Sequence, residues 1–178
     1  MECFLFSIVG FVHGPKAGGE SMRLADLLPK SMIILDLKAK DKKGVIREVV
    51  QCLVTQGKIK DDDGRKVERL VTKRESQGST GIGKGLAIPH AKGCPQVKEV
   101  LGVFARSVNG VQFDAVDGGL VHLVFLVVSP DSRADEHLSV MRKIATMHRD
   151  EKTLKFLVTN SNLDSVMEIF KEVDDTFR

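Results

Sequence analysis

The run from 121 to 128, VHLVFLVV, does most to narrow what this chain can fold into. Seven of its eight residues are apolar, and there is no alternation of apolar and polar positions. A strand with one wet face alternates; a strand covered on both faces does not. Such a strand needs helices above and below it, and the flanking segments supply them. Val45, Ile46, Val49, Val50 and Leu53 recur at helical spacing, with Gly57 placed to end that helix. Asp61, Asp62 and Asp63 are expected to cap a second helix whose stripe is Val67, Leu70 and Val71, ending near Arg74 and Glu75. After Pro130 the pattern is helical. It places Leu138, Met141, Ile144 and Ala145 on one face, then a segment at 154–157, then a last helix carrying Leu163, Val166, Met167, Ile169 and Phe170.

Shorter β-rich runs lie at Met32 to Leu37, Leu86 to Ile88 and Val100 to Phe104. The expected fold class is therefore α/β, a single domain with a mixed β-sheet flanked by helices on both faces. At 178 residues with 42% hydrophobic content, the chain is long enough for one compact core.

Composition excludes several functions. The net charge is +3 with Lys/Arg and Asp/Glu interleaved, so no basic stripe marks a nucleic-acid footprint. Trp and Tyr are absent, which removes most stacking platforms for single strands. Cys3, Cys52 and Cys94 are odd in number and scattered, which fits a reducing compartment and a cytoplasmic protein. The opening MECFLFSIVGFVHG has an apolar run, but Glu2 stands where a signal peptide is basic, and the run is too short to span a membrane. Residues 1–21 are expected to be a poorly ordered extension or to precede an alternative start at Met22, with 22–178 as the functional domain.

The chemistry concentrates in residues 78–92, GSTGIGKGLAIPHAK. Gly78, Gly83 and Lys84 satisfy the first part of a P-loop, but Gly85 stands where the magnesium-binding Ser or Thr belongs, and Pro89 would break the helix that must follow. The dinucleotide fingerprint fails too, since Leu86 replaces its third glycine. What remains is a tightly turned backbone that presents His90 at the end of a short strand, with glycines that let an anion approach.

Taken alone, a loop histidine needs no chemical task. His122 lies within the buried run and is expected to be a hydrogen-bonded core residue, His148 to sit at a helix end, and His13 to fall in the extension. His137 follows the loop after the central strand, in the first turn of a helix, where open α/β sheets place ligands. His90 and Cys94 have an H-x-x-x-C spacing, but no tight second pair accompanies them, so no metal is expected. No G-x-S-x-G elbow of a serine hydrolase is present.

From Arg74 to Ala91, RESQGSTGIGKGLAIPHA closely resembles the signature of the mannitol/fructose-type IIA domain of the bacterial phosphotransferase system, including its nitrogen-regulatory branch. The likeness runs from Met22 to the C-terminus, with RLADLL, FDAVDG, VFLVVSP and DEHLSVMRKIA in family order. It implies that His90 accepts a phosphoryl group from an HPr-type phosphohistidine carrier and passes it to a IIB protein or uses it as a signal to regulatory targets. It implies that His137 is the second active-site histidine and Arg74 the active-site arginine, with Thr80 and Gly81 lining the pocket, and that no cofactor is needed. Histidine chemistry agrees: a neutral imidazole is a nucleophile near neutrality, and phosphoryl transfer asks mainly for positioning and charge stabilisation. Residues 1–21 have no counterpart in a minimal IIA domain. No IIB, membrane or DNA-binding segment accompanies the domain, which tilts the expectation toward regulation through partners. A non-transferring binding module with the same fold is the alternative.

Overall fold

The computed structural model describes residues 22–177. The expected extension, 1–21, lies outside them. Helix α1 (Leu24–Leu27) and a 3-10 turn (Lys30–Met32) lead into strand β1 (Ile33–Ile34). Helices α2 (Lys42–Thr55) and α3 (Asp61–Glu75) follow, then β2 (Gly81–Gly83), β3 (Leu86–Ala87), β4 (His90–Ala91), β5 (Leu101–Val111) and β6 (Val121–Val128). After a second 3-10 turn (Asp131–Arg133) come α4 (Ala134–Met147), α5 (Glu151–Thr159) and α6 (Leu163–Thr176).

The sheet is mixed, in the order β1-β5-β6-β3-β2, with β4 also on β6. β5 runs antiparallel to β6, while β3 and β4 run parallel to it in succession, Leu86 opposite Leu123 and His90 opposite Val127. β6 is thus the spine, and its burial on both faces follows from its position. Val121, Val124, Leu126 and Val128 pack with α2 and α3 residues such as Val49, Leu53, Val67 and Val71. Leu123, Phe125 and Val127 pack on the other side with Leu24, Val140, Ile144, Leu157 and Phe170. Phe104, Phe125 and Phe170 form a mutual aromatic cluster there, with ring centroids 4.8–6.0 Å apart. Among the described residues no helix is long and apolar enough to cross a membrane.

Three expected element boundaries are corrected. The three aspartates do not cap α3: Lys60 is its N-cap with no side-chain bond, and Asp61, Asp62 and Asp63 fill the first turn, where their charge still favours the helix end. The run MIILDL yields only two strand residues, whereas the strand expected to stop at Phe104 continues to Val111 because its partner β6 keeps pairing with it.

Helix α4 buries His137, Val140, Lys143, Ile144 and Met147, while Leu138 is 41% exposed. The inward face of α4 carries two polar residues, so apolar spacing alone points to a rotated stripe. Lys143 can be buried because its Nζ donates to Asp174 Oδ1 and to the Met22 carbonyl, each at 2.8 Å. Asp174 in turn accepts from the Leu24 and Ala25 backbone N–H groups, so one carboxylate serves α1, α4 and α6. Removing one member of such a pair strands the other charge. Asp174→Ala is expected to destabilise the fold by about 3–5 kcal/mol, read from urea unfolding midpoints.

Candidate functional site

Strand β6 organises the site. Its last residues hold β4 in register, so His90 sits opposite Val127, and the loop that leaves β6 turns into α4, whose fourth residue is His137. The two imidazoles meet with ring centroids 5.8 Å apart and planes inclined by 60°. His90 is half-buried, and His137 is fully buried.

The ring of His90 is oriented by its own strand. Nδ1 lies 2.8 Å from the Ile88 carbonyl oxygen. A carbonyl only accepts, so Nδ1 carries the hydrogen and Nε2 keeps its lone pair. Burial pushes the His90 pKa below the ordinary imidazole value despite the Ile88 bond, and the charges of Arg74 and Lys92 push the same way. For His137, burial is again the main cause, with His90 and Lys92 adding to it, and the pKa is pushed down to about 4. His137 Nδ1 lies 2.8 Å from Ser129 Oγ, while the buried Nε2 has no partner among the described residues. Two neutral imidazoles side by side therefore each keep one nitrogen uncommitted.

Arg74 stands in the last turn of α3, half-buried, where Nη1 donates to the Gly78 carbonyl at 3.1 Å. That bond ties the arginine to the start of the glycine segment. Thr80 does not present its hydroxyl outward: it donates to Glu75 Oε2 at 2.5 Å, and its backbone N–H donates to the same carboxylate. Thr80 contributes instead through its carbonyl, which accepts from Ile88 N–H at 3.0 Å, just before His90. The glycines serve turning and packing. A Cβ at Gly81 would stand 2.8 Å from Ala115 Cα, and Gly83, Lys84 and Gly85 all have positive φ, forming the tight turn between β2 and β3.

Glu75 is a residue that motif reasoning passed over. It is only 7% exposed and also takes Lys42 Nζ at 3.1 Å, while Lys42 reaches Asp114 Oδ2 at 2.8 Å. This network pins the start of the glycine segment to α2 and to the FDAVDG turn. An acidic residue directly beside Arg74 at a helix end was the available signal. Lys92, exposed two residues beyond His90, was likewise passed over. His122 and His148 are structural, Nδ1 of the first bonded to the Ser107 carbonyl and Nε2 of the second to the Gly83 carbonyl. Cys94 bonds to Gln96, and among the described residues no three His, Cys, Asp or Glu side chains are placed to hold a metal ion.

Residues 26–173 match the family described as "Phosphoenolpyruvate-dependent sugar phosphotransferase system, EIIA 2". The chain is similar to a fructose-specific EIIABC component of Bacillus subtilis, 35% identical over 86% of this chain but only 24% of that protein. It thus spans about a quarter of that relative's length. A nitrogen regulatory protein of Bradyrhizobium diazoefficiens is 30% identical over 83% of this chain and 94% of its own. Among solved structures, the nitrogen regulatory protein IIA-Ntr of Neisseria meningitidis matches with a TM-score of 0.75 at 33% identity, covering 83% of this chain and 98% of that one.

Two outcomes are expected. Glu75→Ala leaves the buried Thr80 N–H and hydroxyl without their acceptor and should cost about 1–3 kcal/mol in chemical unfolding. His137 should titrate near pH 4 when followed by NMR. Its folded pKa lies below the unfolded value of about 6.5, so the unfolded chain binds the extra proton and stability falls as pH drops from about 6.5 toward 4. A midpoint near 6.5 in the folded protein would contradict the burial described.

Proposed function

The chain belongs to the EIIA 2 family of the phosphoenolpyruvate-dependent sugar phosphotransferase system, and on that premise we propose that it is a phosphocarrier that takes a phosphoryl group on His90. The donor is a phosphohistidine on an HPr-type carrier. The P–N bond to the donor ring breaks as the lone pair of His90 Nε2 forms a new P–N bond, with no net change in proton count. The observation that carries this reading is the hydrogen bond from His90 Nδ1 to the Ile88 carbonyl at 2.8 Å. It directs the lone pair to Nε2 and stabilises the positive charge that develops on the ring during attack.

The remaining roles follow from charge. The transferring group spreads negative charge over its oxygens, and the protein's task is positioning and neutralisation. His137 donates a hydrogen bond to one oxygen, and Arg74, whose charge already acts on His90, supplies a planar cation. Thr80 and Gly81 shape the loop behind the histidine. Phosphate then passes to a IIB protein or alters contacts with a regulatory target. Relatives with names of both kinds support the two destinations: a fructose-specific component, and nitrogen regulatory proteins. We place the exchange in the cytoplasm, in keeping with the free thiols of Cys52 and Cys94.

The test is incubation with phosphoenolpyruvate, enzyme I and an HPr-type carrier. The wild-type protein is expected to take up one acid-labile phosphate, and His90→Ala none. Uptake by His90→Ala that matches wild type would show the acceptor to be elsewhere. Discharge of the phosphoprotein onto a sugar-specific IIB protein marks a transport role. A phosphate that stays bound while association with another protein changes marks a regulatory one.

A further inference from the structure

We infer that Ser129 is a positioning residue that fixes His137 as a hydrogen-bond donor at Nε2 and sets it in place against His90. The inference rests on the phosphocarrier reading above and assigns a task to a side chain outside the motif.

Ser129 is fully buried just beyond the end of β6 and is joined to the strand that carries His90 and to the ring of His137. Its backbone belongs to the His90 side: Ser129 N–H donates to the Ala91 carbonyl at 3.1 Å, and Cys94 N–H donates to the Ser129 carbonyl at 2.9 Å. Its side chain belongs to the His137 side, with Oγ 2.8 Å from Nδ1. One residue thus bridges the strand that carries one imidazole and the ring of the other. Any shift of β4 along β6 is passed to His137 through this bond.

The direction of the bond follows from counting partners. If Nδ1 carried the hydrogen and donated to Oγ, the hydroxyl hydrogen would need a different acceptor, and Ser129 Oγ has no further partner among the described residues. A buried hydroxyl without an acceptor is costly. If the hydroxyl donates to Nδ1, both groups are satisfied by the single bond. The neutral ring then holds its hydrogen on Nε2, the nitrogen that is buried and without a partner among the described residues. A buried N–H with no acceptor carries the same kind of cost, unless an incoming group supplies the acceptor. A phosphoryl oxygen on His90, on the ring 5.8 Å away, is such an acceptor. The two histidines therefore carry opposite tautomers. His90 has its hydrogen on Nδ1 and a lone pair on Nε2 for attack, and His137 has its lone pair on Nδ1 and a hydrogen on Nε2 for the product.

Long-range nitrogen–proton NMR of the unphosphorylated wild-type protein tests the tautomers directly and needs no variant. His137 is expected to show an unprotonated, hydrogen-bonded Nδ1 and a protonated Nε2, and His90 the reverse. A protonated Nδ1 on His137 in the neutral ring would overturn the inference.

The functional half is read from phosphoryl uptake by Ser129→Ala and Ser129→Thr. Ser129→Ala should shift the His137 Nδ1 resonance and slow uptake by about tenfold, the lower end for loss of a partner that orients a functional histidine. Ser129→Thr, which keeps the hydroxyl, should restore both. Wild-type rates in Ser129→Ala, or a slow Ser129→Thr with the hydrogen-bonded resonance intact, would remove the positioning role. Failure of the wild-type protein to take up phosphate would remove the phosphocarrier reading itself and leave the tautomer result standing.

Discussion

Both imidazoles hang from one strand, and the rest of the structure depends on how β6 holds them. His90 reaches its place because β4 pairs with the C-terminal end of β6, four residues beyond the pairing of β3 at Leu123. His137 reaches its place because the chain leaving that same end turns through Asp131–Arg133 into α4. A one-residue slip of β4 would turn His90 to the opposite face of the sheet and part the two rings. The slip is resisted by the apolar side chains of β6 on both faces, all nearly inaccessible to water from Leu123 to Val128. Hydrophobic burial in two cores thus fixes a contact between two polar rings at their rim.

How much of this was legible in sequence varies with the physics of each element. The doubly covered strand was plain because VHLVFLVV has no polar alternation to mislead. The α2 and α3 stripes were plain because their inward positions are all apolar except Gly64 and Glu75. Helix α4 was misjudged because its inward face includes His137 and Lys143, whose burial depends on partners at Ser129 and Asp174 distant in sequence. The second half of β5 was missed for a related reason: Arg106 and Ser107 are buried there, and Arg106 donates to the carbonyls of Leu35 and Val158. Polar residues that become satisfied only by tertiary contacts carry no local signal. The histidine loop itself stood out, whereas Glu75, which anchors it, was hidden beside Arg74.

The buried polar groups follow one rule in two places. Asp174 gathers Lys143 and two N–H groups of α1; Glu75 gathers Lys42 and the N–H and hydroxyl of Thr80. Each carboxylate is surrounded by donors, which offsets its desolvation and makes the local arrangement all-or-none. The first holds the N-terminal helix to the C-terminal one. The second holds the glycine segment that precedes His90, so the loop is tied in place although four of its eight residues from Gly78 to Gly85 are glycine.

Charge ties this scaffold to the chemistry. Arg74 and Lys92 raise the local positive potential, and that potential, added to burial, lowers the proton affinity of His90; Lys92 and His90 act likewise on His137. In the proposed transfer the same potential would attract the anionic phosphoryl group, so one set of cations both keeps His90 unprotonated and draws in an anion. In the proposed phosphorylated state, the negative charge on His90 would oppose these cations and supply an acceptor for the His137 Nε2 hydrogen.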